Sequence, residues 1–192
     1  MMKNMLFLIA ICCLTLPLSA LDNESDKTTV TGKIITIELN QSTNSPVEVT
    51  LRDISGYRLL QESLQAQQGG QRKYNLKNLP AGMYYLEIRQ GFKVSTTTIA
   101  VKDINATVIK EETIYRPACS QKDVRWNVNL LLLDKDAELS IYDSYSELIY
   151  KESYDGQVNV AKSYNLSKLS PGTYQAVFDI EGEIFTESIF LN

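Results

Sequence analysis

The sequence predicts an all-β protein built as two tandem immunoglobulin-like antiparallel β-sandwiches related by internal duplication. Three observations lead there. One phrase is written twice, ninety positions apart: "YNLKNLPAGMYYLEI" at 74–88 and "YNLSKLSPGTYQAVF" at 164–178. Apolar residues in both copies recur with a period of two, the signature of strands with one buried face. Turn residues interrupt the chain at short intervals, with no convincing helical pattern between them.

Taken in order, residues 1–20 read as a signal peptide. Lys3 is followed by an apolar run from Met5 to Leu18, then by Ser19-Ala20 and the polar Leu21-Asp22-Asn23-Glu24. That run is too short to span a bilayer, and no other stretch is apolar enough to do so. Cys12 and Cys13 lack the small residues that a lipid-attachment site wants before them, so lipidation is not expected. Cleavage after Ala20 leaves 172 of the 192 residues, and losing Lys3 takes the net charge from −4 to −5. A modest acidic excess argues against nucleic-acid phosphates as a partner.

The first unit is assigned to 21–102 and the second to 103–192. In the first, Ile35, Ile37 and Leu39 form an early strand. Val47, Val49 and Leu51 then alternate with Glu48, Thr50 and Arg52, and Tyr84, Leu86 and Ile88 alternate with Tyr85, Glu87 and Arg89. The join falls near Asp103-Ile104-Asn105, and Thr107 to Tyr115 reads as a strand opening the second unit. Trp126, Val128, Leu130 and Leu132 follow, then Leu139 and Ile141, then Tyr174, Ala176, Phe178 and Ile180. Turns are marked by Asp53-Ile54-Ser55-Gly56, Gln68-Gly69-Gly70, Pro80-Ala81-Gly82, Asp143-Ser144-Tyr145-Ser146 and Pro171-Gly172.

Setting residue i against i + 90 extends the repeat well beyond the phrase. Glu48, Asp53, Glu62, Tyr74, Asn75, Leu76, Leu79, Gly82, Tyr84 and Ile99 each meet the same residue type. Almost no gaps are needed, as a duplicated structural unit requires. Within the phrase, Tyr84 and Tyr174 stand where a sandwich places a tyrosine corner: the ring packs inward and the hydroxyl bonds an upstream backbone group. Pro80 and Pro171 preset the turn, offset by one between copies, while Gly82 and Gly172 are expected to supply unusual backbone angles.

The pattern "VEVTLRDISGYRLL…YNLKNLPAGMYYLEIRQGFKVSTTTIAV" resembles the C-terminal sorting domain of the type IX (Por) secretion system of Bacteroidota. Asp53 and Gly56 match its Asp-x-x-Gly turn. Leu79, Pro80, Gly82 and Tyr84 match its Leu-Pro-x-Gly-x-Tyr turn, and Ile99 and Val101 match its final strand. The resemblance covers 46–101 and, less closely, 137–192, where Ser146 replaces the turn glycine. It implies a small β-sandwich that directs cargo across the outer membrane, with the secretion machinery as a partner.

Candidate chemistry is sparse. Histidine is absent, which removes His-based triads and His metal ligands. Cys119 is the only thiol after residue 20, so it has neither a disulfide partner within the mature chain nor a histidine to activate it. Asp134, Asp136 and Glu138 are too few, and lack the glycine, for a calcium loop; Asp134-Lys135-Asp136 reads as a polar turn. No catalytic, metal or cofactor residue is therefore assigned. The sequons at Asn23, Asn40, Asn105 and Asn165 carry little meaning in a bacterial product. Tyr142, Tyr145, Tyr150 and Tyr154 crowd one hairpin and form the candidate ligand surface, suited to a glycan or an envelope protein. The plainer alternative is cross-strand pairing on a solvent-facing sheet. The expectation is an exported, non-catalytic module for binding, adhesion or structure in the periplasm, at the cell surface or outside it. The alternative is a secretion substrate whose C-terminal domain is a degenerate sorting signal.

Overall fold

The computed structural model describes residues 27–39, 45–65 and 70–192. The signal peptide with Cys12 and Cys13, the sequons at Asn23 and Asn40, and the Gln68-Gly69 turn lie outside the described residues. The rest is strand and turn throughout. In the first unit these are β1 (Lys27–Thr31), β2 (Ile34–Leu39), β3 (Val47–Asp53), β4 (Arg58–Leu64), β5 (Gly70–Asn75), β6 (Gly82–Gln90), β7 (Lys93–Val101) and β8 (Ala106–Tyr115). The second has β9 (Ala118–Lys122), β10 (Arg125–Leu131), β11 (Ala137–Tyr142), β12 (Leu148–Tyr154), β13 (Asn159–Asn165), β14 (Gly172–Ile180) and β15 (Glu183–Leu191).

Each unit is a two-layer sandwich with the same wiring. In the first, the sheet β1-β2-β5 faces β4-β3-β6-β7-β8; in the second, β9-β10-β13 faces β12-β11-β14-β15. All ladders are antiparallel. The period-two residues fill the space between layers. Ile35, Ile37, Val49, Leu86 and Ile99 form one core, and Trp126, Leu139, Phe178, Ile180 and Ile189 the other. Burying each such side chain contributes about 1.5–3 kcal/mol, and these sandwiches hold together by that packing without disulfides.

Thr107 to Tyr115 does not open the second unit. It lies in β8, which pairs along β7 from Val101↔Ala106 to Lys93↔Tyr115, and so extends the first unit's larger sheet. The unpaired edge of β7 offers this strand its hydrogen bonds immediately after a short turn, so the connection folds back before it leaves. The second unit opens instead with β9, the counterpart of β1.

The outer face of the enlarged sheet packs on the second unit. Val94 is out of phase with the inward residues Thr97, Ile99 and Val101, yet it is buried, because it joins the second unit's core cluster together with Ile114. Beside it, Arg89 donates to Glu87 at 2.7 Å and also to Glu183 of β15. Arg116 lies 6.0 Å from the centre of the Phe185 ring.

Candidate functional site

The repeated phrase sets the local geometry of each unit. β5 ends at Asn75, whose Oδ1 accepts from Lys77 N at 2.9 Å, while Leu79 N donates to Leu76 O at 3.0 Å. Asn165, Ser167, Leu166 and Leu169 repeat both bonds. The chain then bends into β6 or β14, where the tyrosine corner closes the turn. Tyr84 Oη donates to Pro80 O at 2.9 Å, and Tyr174 Oη donates to Ser170 O at 2.8 Å. Both rings are buried. Gly82 departs from expectation: its φ lies outside the left-handed region, whereas Gly172 sits at +155°. The one-residue offset of the prolines gives the two turns different paths to the same peg.

The Asp-x-x-Gly turn is also made twice. Asp53 Oδ1 accepts from the backbone N–H of Ser55 and Tyr57, and the Ser55 hydroxyl, ahead of those amides, holds its carboxyl below the usual range. Asp143 Oδ1 accepts from Tyr145 and Glu147 N–H, at 2.9 Å each. Gly56 and Ser146 occupy the same left-handed position, with φ of +83° and +63°.

The four tyrosines of the second hairpin are not brought together. A bulge between Ile141 and Tyr142 leaves Ile149 unpaired, with Tyr142 opposite Leu148 and Ile141 opposite Tyr150. The alternation then turns Tyr150 and Tyr154 toward the inner face and leaves Tyr142 on the outer one. Tyr154 is fully buried, at 0% exposure, and does not belong to a ligand surface. Tyr145 stands at the turn, 85% exposed. The open apolar strip consists of Tyr145, Leu148 (52%) and Ile149 (40%), with half-buried Tyr142 beside it and Tyr150 at its rim.

Tyr150 and Tyr154 serve a cluster whose centre the sequence reading missed. Glu152 Oε2 accepts from Tyr150 (3.0 Å), Tyr154 (2.9 Å) and Tyr164 (2.7 Å), while Lys162 binds its other oxygen. Lys162 Nζ also lies 5.0 Å from the centre of the Tyr154 ring, and the Trp126 and Tyr150 rings pack on Tyr164. Burial alone would push the Glu152 carboxyl up. Lys162, Tyr164, Tyr154 and Tyr150 together overcome that and hold it at about 2. The tyrosine hydroxyls of 154 and 164 are pushed up, chiefly by burial, and stay protonated donors. The first unit keeps the skeleton of this arrangement: Tyr74 Oη donates to Glu62 Oε2 at 2.8 Å. In both units the bond ties the edge strand of one sheet to the edge strand of the other. The signal was present in the repeat, because Glu62/Glu152 and Tyr74/Tyr164 are among its few identical polar pairs.

Three further acids of the second unit are used by turns. Asp136 Oδ1 accepts from Gly156 N, Asp179 Oδ1 from Gly182 N, and Glu181 Oε1 from Asp136 N. Cys119 on β9 is half-buried, and burial, reinforced by Glu187, pushes its thiol up to about 12. A thiol so held is a poor nucleophile. The arrangement supplies contact surface and hydrogen bonds, with no activated nucleophile among the described residues.

The family model described as "Secretion system C-terminal sorting domain" matches residues 31–102 and 114–192, one segment on each sandwich. The chain belongs to this family. Sorting domains of this kind are secreted β-sandwich modules, typically non-catalytic, and this chain is a tandem pair of them. No helix of the described residues is long and apolar enough to cross a membrane. No curated protein matches the chain significantly. Among solved structures, the FN1–FN3 domains of chicken CNTN1 align at 8% identity with a TM-score of 0.31, over 85% of this chain and 63% of that one. The BSP domain of a biofilm associated protein aligns at 12% identity with a TM-score of 0.30, over 86% of this chain and 29% of that one. The chain thus spans less than two thirds of either structure.

Proposed function

We propose that this sorting-domain pair works by binding: an exported, non-catalytic module whose second unit presents the Tyr145–Leu148–Ile149 strip to a protein of the cell envelope. The observation that supports this reading is the exposure of three large apolar side chains on one edge hairpin, next to a bulge that twists the edge away from casual pairing. Aliphatic Leu148 and Ile149 beside an aromatic favour a protein surface over a sugar, whose rings stack best on flat aromatic faces. A photo-crosslinking residue at position 145 tests it in cells. Adducts at 145, absent from a control at exposed Ile109 of β8, are the expected result; equal labelling at both would sink the reading.

Family membership favours a second reading, in which the chain is a type IX secretion substrate and residues 114–192 are read by the machinery. Fusing that segment to a reporter separates the two. Reporter at the cell surface favours sorting, and retention in the periplasm favours binding.

A further inference from the structure

The two units differ at one edge. In the first, β7 carries β8 along its whole length, and Ala106 N also reaches across to Gly32 O beside β1. In the second, β15 is the equivalent of β7 and ends its sheet, with no strand beside it among the described residues. The backbone of Phe190 faces outward, since the Gln121 side-chain amide of β9 both donates to its carbonyl and accepts from its N–H at 3.2 Å. Because backbone groups alternate sides along a strand, those of Ser188 and Thr186 face the same way. Gln121 therefore does for one residue what β8 does for nine.

We propose that the β15 edge accepts an extended peptide strand from a protein partner, antiparallel and in the place that β8 takes on β7, with Gln121 as a latch the incoming strand displaces. Main-chain hydrogen bonds would give the affinity, and the side chains opposite Thr186 to Phe190 the selectivity. Charge identifies the partner further. Glu187 points inward at the position of buried Thr97, so it disfavours an acid opposite it and favours Lys or Arg. Two copies of β15 paired about their centre would set Glu187 against Glu187, which argues against self-association.

The protein supplies its own probe. A synthetic peptide of β8, residues 106–115 (ATVIKEETIY), places Glu111 opposite Glu187 if it docks as β8 does on β7. The E111K peptide should bind the mature protein more tightly than the native peptide by fluorescence anisotropy, and should protect the Thr186 and Ser188 amides from hydrogen exchange. Gln121→Ala should tighten binding roughly tenfold by removing the latch. Thr186→Pro should abolish it while the protein stays folded, since proline is tolerated at an edge where the lost N–H faces solvent. Failure of both peptides to bind, binding unchanged in Thr186→Pro, protection elsewhere in the chain, or equal affinity for the two peptides would each overturn the proposal. Loss of crosslinking at Tyr145 alone would bear on the β12 surface and leave the β15 edge standing.

Discussion

Ser146 carries a penalty that its counterpart avoids. Both it and Gly56 sit in the left-handed region, but a side chain there costs about 1–2 kcal/mol against glycine's near freedom. Ser146→Gly should therefore raise the stability of the protein by about 1 kcal/mol in urea unfolding; no gain would mean the Asp143 turn relaxes the strain by other means. Of the two phrase glycines, Gly172 meets the sequence expectation of unusual backbone angles and Gly82 does not. A Cβ at Gly82 would meet only Tyr84 Cε2, at 3.8 Å and without backbone strain, while Gly172 at +155° leaves a side chain strained. Gly82→Ala should leave the melting temperature almost unchanged, and Gly172→Ala should lower it by several degrees, about 1 kcal/mol of stability. Residue identity in the repeat reported that a turn was present, and only the backbone angles told which glycine the turn requires.

At the scale of elements, the edge-to-edge tie between β12 and β13 makes a pH prediction. The Glu152 carboxyl titrates at about 2 in the folded protein, below its ordinary 4.5. Its charged form is the one the fold favours, so its contribution is fully present above about pH 4.5 and is lost as pH falls toward 2. Glu152→Gln should flatten the acid limb of stability between those values; an unchanged slope in pH-dependent urea melts would remove Glu152 from the account. The strands themselves were legible because alternation such as Val47/Val49/Leu51 depends only on which face is buried. Two things were not. Crowding on one hairpin groups Tyr154 with a surface, but a bulge at Ile149, which sequence spacing does not show, sets the phase of β12 and buries that tyrosine. The alternation of β8 marks it as a strand but not as part of the first unit, since sequence pattern carries no record of which edge a strand joins.

At the scale of the whole molecule, the units are joined by more than their link. Val94 and Ile114 of the first lie in the core cluster of the second, and Arg89 binds Glu87 and Glu183 at once. Glu87 is buried, with Arg52 its other partner at 3.6 Å. Arg89→Ala should cost about 2 kcal/mol by leaving that carboxylate half-compensated, and should loosen the units, read as a larger radius in small-angle scattering. A stability loss with no change in radius would confine Arg89 to a role within the first unit. Interfaces of this kind are invisible to the repeat, because Val94 aligns with Ile184, which is exposed, while Val94 is buried by Ile114 of β8 and the core of the second unit.

The two sandwiches are equivalent, each closed by its own tyrosine corner, and urea unfolding of Tyr84→Phe, Tyr174→Phe and the double variant tests that equivalence most directly. Each hydroxyl donates one part-buried hydrogen bond, to Pro80 O or to Ser170 O. The prediction is a loss of about 1 kcal/mol for each single variant and the sum of the two for the double. Either single variant unfolding like the parent would contradict it.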